Sequence, residues 1–319
     1  MLVRIAESLF WLGRYLERAD DTARILEVHL NHELESGSVS PRSAFLATLG
    51  FDDFSNGVDV DSGTLFATLG FSLEHPNSIA SSIVAAHKNA GGLRELLPSE
   101  VYEAINISDR LLVKMPRNTR SLSEFFRYVR LAHERVAITV GLLTESFPRD
   151  EGWQFLQLGT FIERVDMTLR LLKFRLVFAP ESQDWATTLK YCSAYEFYIR
   201  TYHGQVEPDC VLEFLLVDRL FPRSVQFGLL SAEHCLEQIA PETHRSAPPG
   251  PAQRALGQAR ATISFLTRQD LTTRIEALLE ELSLSCSLAS DAITQRYFGQ
   301  TRSQLWQREA GGMTVSRDW

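Results

Sequence analysis

Two short stretches of this 319-residue chain carry the same charged pattern. Gly13, Glu17, Asp20 and Arg24 recur at steps of three and four, and so do Gly159, Glu163, Asp166 and Arg170. That spacing puts each set on one stripe of a helix, beside its apolar face. Carboxylates and guanidinium groups so placed can build a buried ion network, hold a ligand, or supply an acid and a base. Arg18 and Arg164 each follow a glutamate directly and diverge from it by about 100°. They are therefore expected to point elsewhere, and Glu17 and Arg18 are no simple pair. Asp20 can reach Arg24 at i+4, whereas Glu17 must look to Asp20 or to another helix. A glycine in mid-helix costs about 1 kcal/mol relative to alanine. Its presence in both stretches signals the close approach of another backbone or a ligand. Charges flanking an apolar stripe are most often solvated or form surface pairs worth about 0.3–0.5 kcal/mol. The retention of the same polar residues in both copies favours a structural network over a ligand site, and either over a catalytic or metal centre. A dinuclear metal centre wants Glu-x-x-His on paired helices, and here the i+3 residue is Asp20 or Asp166. No metal is expected.

A second candidate is Pro222-Arg223-Ser224-Val225. It reads as a helix start in which Ser224 caps free amides, the likelier role, while Arg223 can hold a carboxylate or phosphate beside the positive helix end. The matching segment, Pro76-Asn77-Ser78-Ile79, has Asn in place of Arg, so any anion is expected in the second half only. Tyr191, Tyr195, Phe197, Tyr198 and Tyr202 fall at helical spacing, where such rings more often line a core or groove than stack on bases. Glu196 and His203, seven apart, share a predicted helix face. No Ser-His-Asp, Cys-His or HExxH arrangement and no glycine-rich phosphate loop is legible, so no cofactor is expected.

The elements that must position these residues are helices. Leu9, Leu12, Leu16, Ala19, Ala23, Leu26 and Leu30 form one apolar stripe along a long helix. The same reasoning predicts helices near 79–97, 99–113, 122–145, 153–177, 186–204, 208–219, 224–240, 252–265 and 270–297, with no need for strands. Segment 36–63 reads as a long loop or a broken helical hairpin, Ser246-Ala-Pro-Pro-Gly-Pro as a loop, and 311–319 as a frayed tail. Residues 12–26 align without gaps to residues 158–172, at an offset of 146, with eight of fifteen positions identical. The offset also pairs Leu131, Glu134 and Leu142 with Ala277, Glu280 and Leu288. A tandem duplication is implied, covering about 1–146 and 147–292 within one domain of 1–310. The expected architecture is one all-α, bundle-like body with pseudo-twofold symmetry, its two lead helices facing each other.

Composition sets outer limits. Hydrophobic residues make up 45% of the chain and charged residues 23%, which suffices for a large core. A net charge of −8 argues against nucleic acid or an anionic membrane as partner, since both need a basic surface. Cys192, Cys210, Cys235 and Cys286 lie far apart with no CxxC, so they are expected to be reduced core residues of a cytoplasmic protein. Arg4 and Glu7 interrupt the first apolar stretch, which does not read as a signal peptide, and no apolar run is long enough to span a bilayer.

The segments SLFWLGRYLERADDTARIL, DEGWQFLQLGTFIERVDMTLRLL, HPNSIASSIVAAHKNAGGLRELLPSEVYEAIN and EFLLVDRLFPRSVQFGL, in this order, resemble the alpha-E family over about residues 2–297. This is a bacterial all-helical domain of unknown function, named for a Glu-Arg motif that maps here to Glu17-Arg18 and Glu163-Arg164. Its Pro-Arg-Ser motif maps to Arg223-Ser224. The resemblance implies partnership with circularly permuted ATP-grasp ligase-like proteins and transglutaminase-like proteases, and a role in making or processing a peptide or amide-linked product. Two departures bear on anion binding. The arginine after the glycine survives as Arg14 but is Thr160 in the second copy, and relatives' Ala-Arg-Glu-Asn-Ala-Arg is Ala86-His87-Lys88-Asn89-Ala90-Gly91 here.

Three functions follow as expectations. The favoured one is a non-catalytic or accessory helical module that binds a partner enzyme or peptide in an amide-bond-forming system. The second is an enzyme at the pseudo-symmetric interface, with Glu17 or Glu163 as acid and base and Arg18, Arg164 or Arg223 holding an anionic substrate. The third is a purely structural network that fixes the packing of the halves.

Overall fold

The stripe from Leu9 to Leu30 is buried along its length and belongs to helix α1, Val3–Ser36. The computed structural model describes residues 1–36, 42–50, 60–114, 122–178, 184–240 and 249–299. Among these residues the fold is all-α, without strands.

After α1 come α2 (Arg42–Thr48), α3 (Ser62–Phe66, continued by a π turn at Ala67–Phe71), α4 (Ile79–Gly91), α5 (Ser99–Val113) and α6 (Leu122–Ser146). The chain then runs through α7 (Glu151–Phe178), α8 (Trp185–Tyr191), α9 (Tyr195–Thr201), α10 (Pro208–Val217) and α11 (Val225–Ile239). It ends in α12 (Pro251–Ser264), α13 (Arg268–Thr273) and α14 (Ile275–Ile293, continued by a π turn at Thr294–Phe298).

Helices α1, α4, α5 and α6 each pack on the next, and α6 closes on α1. Helices α7, α11, α12 and α14 close a second ring in the same way. The rings meet where α1 packs on α7, so the polar stripe of α1 and Glu163 of α7 are buried with the apolar faces, while Asp166 and Arg170 of α7 stay partly exposed. Two short helices cross between the halves, α2 packing on α7 and α8 on α1. A cap recurs at the shared offset: Ser78 Oγ accepts from the Ser81 amide at 3.0 Å and Ser224 Oγ from the Phe227 amide at 3.1 Å.

Several expected helices prove shorter or divided. The one expected over 79–97 stops at Gly91, and turns at 92–97 lead to α5. The one expected over 186–204 is broken after Tyr191, where Ser193 takes a positive φ of 50° that no α-helix accommodates. The one expected over 270–297 is divided at Arg274 into α13 and α14. The 36–63 segment holds α2 and the start of α3, nearer the broken hairpin than the loop, with 37–41 and 51–59 outside the described residues. Of the expected loop at 246–251, Gly250 caps α12 and Pro251 opens it, while 246–248 and the tail at 311–319 lie outside the described residues.

Candidate functional site

Helices α1 and α7 cross where neither has a side chain. A Cβ at Gly13 would collide with the Leu156 carbonyl oxygen, and one at Gly159 with that of Phe10. The two collisions are the same contact with the helices exchanged, since 10 and 13 differ from 156 and 159 by the repeat offset. Another backbone, rather than a ligand, accounts for both glycines.

One turn further along, each Glu-Arg pair is met by the other. Arg164 Nε and Nη2 donate to Glu17 Oε1 and Oε2 at 2.7 and 2.8 Å. Arg18 Nε and Nη2 donate to Glu163 Oε1 and Oε2 at 2.6 and 3.1 Å. The expectation that Arg18 and Arg164 point away is corrected: their long stems swing into the seam and reach the opposite helix. Glu17 does look to another helix, and Asp20 does pair with Arg24, at 3.2 Å. Arg170 likewise pairs with Asp166, at 2.9 Å.

One further contact is shared: Thr168 Oγ1 donates to the Arg223 carbonyl at 3.1 Å, tying the turn before α11 to α7, and Thr22 Oγ1 donates to the Asn77 carbonyl at 3.3 Å, tying the turn before α4 to α1. Beyond it the two sides of the seam differ. On the Glu17 side, Arg223 reaches Glu17 at 2.9 Å, Asp20 at 3.0 Å and Asp21 at 2.6 Å. Arg24 binds Asp20 and Asp21, and its Nε donates to the Tyr191 carbonyl at 2.8 Å, where the end of α8 leaves an acceptor free. His133 on α6 donates from Nδ1 to Asp20 Oδ1 at 2.6 Å. Glu17, Asp20 and Asp21 thus face Arg24, Arg164 and Arg223, with His133 at the rim. The anion expected at Arg223 is the chain's own set of carboxylates, and Ser224 serves as a cap.

Burial alone would push the Glu17 carboxyl up, but Arg164 and Arg223 outweigh it and hold it below the ordinary range. The same contest leaves Glu163 at about 2, with Arg18 and Arg14 prevailing over burial. Asp20 is lowered too, where burial is opposed first by His133 and then by Arg24. Asp21 goes the other way: burial prevails over Arg24 and Arg223 and raises it to about 6. Its Oδ1 takes both arginines, and its Oδ2 has no hydrogen-bond partner among the described residues. The neighbouring Cys192 thiol is pushed by burial to about 12, and all four cysteines are free thiols.

On the Glu163 side, Arg14 Nε donates to Glu163 Oε2 at 2.6 Å. Asn77 stands where the other side has Arg223, and Met167 where it has Asp21. Here the seam is open: a cavity of about 190 Å³ is lined by Trp11, Arg14, Arg18, Asn77, Arg170 and Ser290, among others.

Sequence reasoning did not assign Arg14, Asp21 or His133 to the site. At the 146-residue offset Arg14 is matched by Thr160 and Asp21 by Met167, so a search for shared residues passes over both. His133 lies on another helix with no local signal. Tyr191 and Tyr198 are core rings, as their spacing suggests, while Phe197 is 54% exposed. Among the described residues no group of three His, Cys, Asp or Glu side chains is placed to hold a metal ion, and no helix is long and apolar enough to cross a membrane.

The chain is 27% identical over 274 residues to uncharacterized protein Rv2567 of Mycobacterium tuberculosis (strain ATCC 25618 / H37Rv) and, equally, to uncharacterized protein Mb2597 of Mycobacterium bovis. Each match takes in 77% of this chain and 31% of the relative, so the chain spans about a third of the length of these relatives. No solved structure matches it. A family model described as a predicted alpha-helical domain with a conserved ER motif matches residues 1–298, nearly the whole chain: the chain belongs to the Alpha-E family.

Proposed function

We propose that the chain is a non-catalytic helical module, acting in the cytoplasm beside a circularly permuted ATP-grasp ligase-like protein and a transglutaminase-like protease, in a system that makes or processes a peptide or amide-linked product. The partners come from the family resemblance. The observation that carries the non-catalytic part is the commitment of Glu17 and Glu163. Each is buried, bound through both oxygens to arginine and held ionised well below neutrality. A general acid or base needs a pKa near the working pH and a proton to exchange, and these carboxylates offer neither. That weighs against the reading of an enzyme at the interface. The Glu-Arg network acts as the fastening between the halves, and we read the matched contacts at the 146-residue offset as the trace of a tandem duplication. Relatives about three times as long as the matched part suit a module that works beside further polypeptide.

The test is co-purification of the intact chain with an ATP-grasp ligase-like protein from the same genome. A stoichiometric complex is expected, and Glu17→Gln, where it still folds, should retain it. Turnover of ATP or of an amide by the purified chain alone would overturn the reading.

A further inference from the structure

The two sides of the α1–α7 seam are built from corresponding residues but are not equally neutralised. On the Glu17 side three carboxylates meet three guanidinium groups. On the other, among the described residues, Glu163 and Asp166 stand against Arg14, Arg18 and Arg170, one carboxylate fewer than the guanidinium groups. The two residues that complete the closed side, Arg223 and Asp21, are replaced by Asn77 and Met167. Asn77 is short and spends its amide on the Leu49 carbonyl at 3.0 Å, and where the closed side is filled by the Arg223 side chain, a cavity of about 190 Å³ remains.

Arg14 lines that cavity and is 6% exposed, and its Nη1 is buried without a hydrogen-bond partner among the described residues. A guanidinium donor left unmatched in a buried position costs free energy that a bound acceptor recovers. Across the cavity, α14 contributes Ser283, Ser287 and Ser290, while Trp11 and Ile162 give it an apolar wall. Arg170, more exposed than Arg14, stands with Asp166 toward solvent. The space equals that of about six waters, enough for a carboxylate group and a few further atoms.

We propose that this cavity is a binding site for a small monovalent carboxylate, such as a free carboxylic acid or the end of a peptide, held by Arg14 and Arg170 with the α14 hydroxyls. One negative charge balances the excess, whereas a dianionic phosphate or sulfate over-fills it. Planar guanidinium groups also match a carboxylate in two-point geometry. The site does not depend on the partner assignment, which co-purification tests separately.

Sodium acetate and N-acetylglycine, titrated into the full chain at fixed ionic strength, test it. The Trp11 indole N–H resonance, assigned by its loss in Trp11→Phe, reports occupancy from the cavity wall. Both probes should shift it saturably in the millimolar range. Inorganic phosphate and sulfate should bind at least tenfold more weakly. Arg170→Gln, at the mouth, should weaken the carboxylates at least tenfold. Ser287→Glu, which supplies the cavity with its own carboxylate, should abolish the response and raise the melting temperature. The absence of a saturable carboxylate response, phosphate or sulfate binding as tightly as carboxylate, or unchanged binding in both variants with native circular dichroism would each overturn the proposal.

Discussion

Arg164 on α7 grips Glu17 on α1 through two parallel hydrogen bonds, and Arg18 returns the same grip from α1 to Glu163 on α7. Neither pair is local, and each closes only when both helices are in place. Removing one member of a buried pair strands the other, at about 3–5 kcal/mol. Glu17→Gln strands Arg164 and leaves Arg223 with only Asp20 and Asp21, so a loss of about 3 kcal/mol in urea unfolding is expected. The double variant Glu17→Gln, Arg164→Gln should lose less than the two single losses combined. Additive losses would show that the pair is not coupled.

The crossing glycines give a sharper contrast. Gly13→Ala places a methyl group against a backbone carbonyl that has nowhere to go, and should cost about 1–3 kcal/mol. Gly141, within α6, has open space around the position of a Cβ. Gly141→Ala should therefore stabilise the protein by about 0.4–1 kcal/mol. Chemical denaturation of the two variants side by side checks the opposite signs.

Glu163 bears on acid stability. Its folded pKa of about 2 lies below the ordinary 4.5, so its contribution is complete above pH 4.5 and fades as pH falls toward 2. For a group this buried it is on the order of 3 kcal/mol. Stability measured from pH 6 to pH 2 should fall, and Glu163→Gln should start lower and fall less steeply. Parallel curves would count against the pairing.

His133 acts with the opposite sign. The hydrogen bond to Asp20 raises its pKa above 6.5 against burial and the nearby Arg24, with Glu27 assisting. Its contribution is whole below pH 6.5 and disappears as pH rises through the folded value. The stability gap between the native protein and His133→Gln should be widest near pH 5.5 and narrow by pH 9. A gap that does not vary with pH would mean that the imidazole acts only by packing.

Period and repetition made most of the fold legible. The leucine stripe located α1, and the identities between 12–26 and 158–172 pointed to its meeting α7. The breaks after Tyr191 and at Arg274 were not legible, because no glycine or proline marks either position. Within the site, the shared residues and Arg223 were found, and Arg14, Asp21 and His133 were not. Arg14, Asp21, Asn77 and Met167 make one side closed and the other open, and a search for sameness discards such differences. Helical-wheel reasoning also misplaced Arg18 and Arg164, since it tracks Cβ directions while an arginine head group lies several bonds beyond its own.

The reciprocal grip has a consequence for how the polypeptide can be divided. Between α6 and α7 only residues 147–150 join the halves. A cut there would yield two pieces, each carrying glutamates and arginines whose mates are on the other. Neither piece could bury its lead helix without stranding charge, so the two should be insoluble apart and should recover the native form when refolded together.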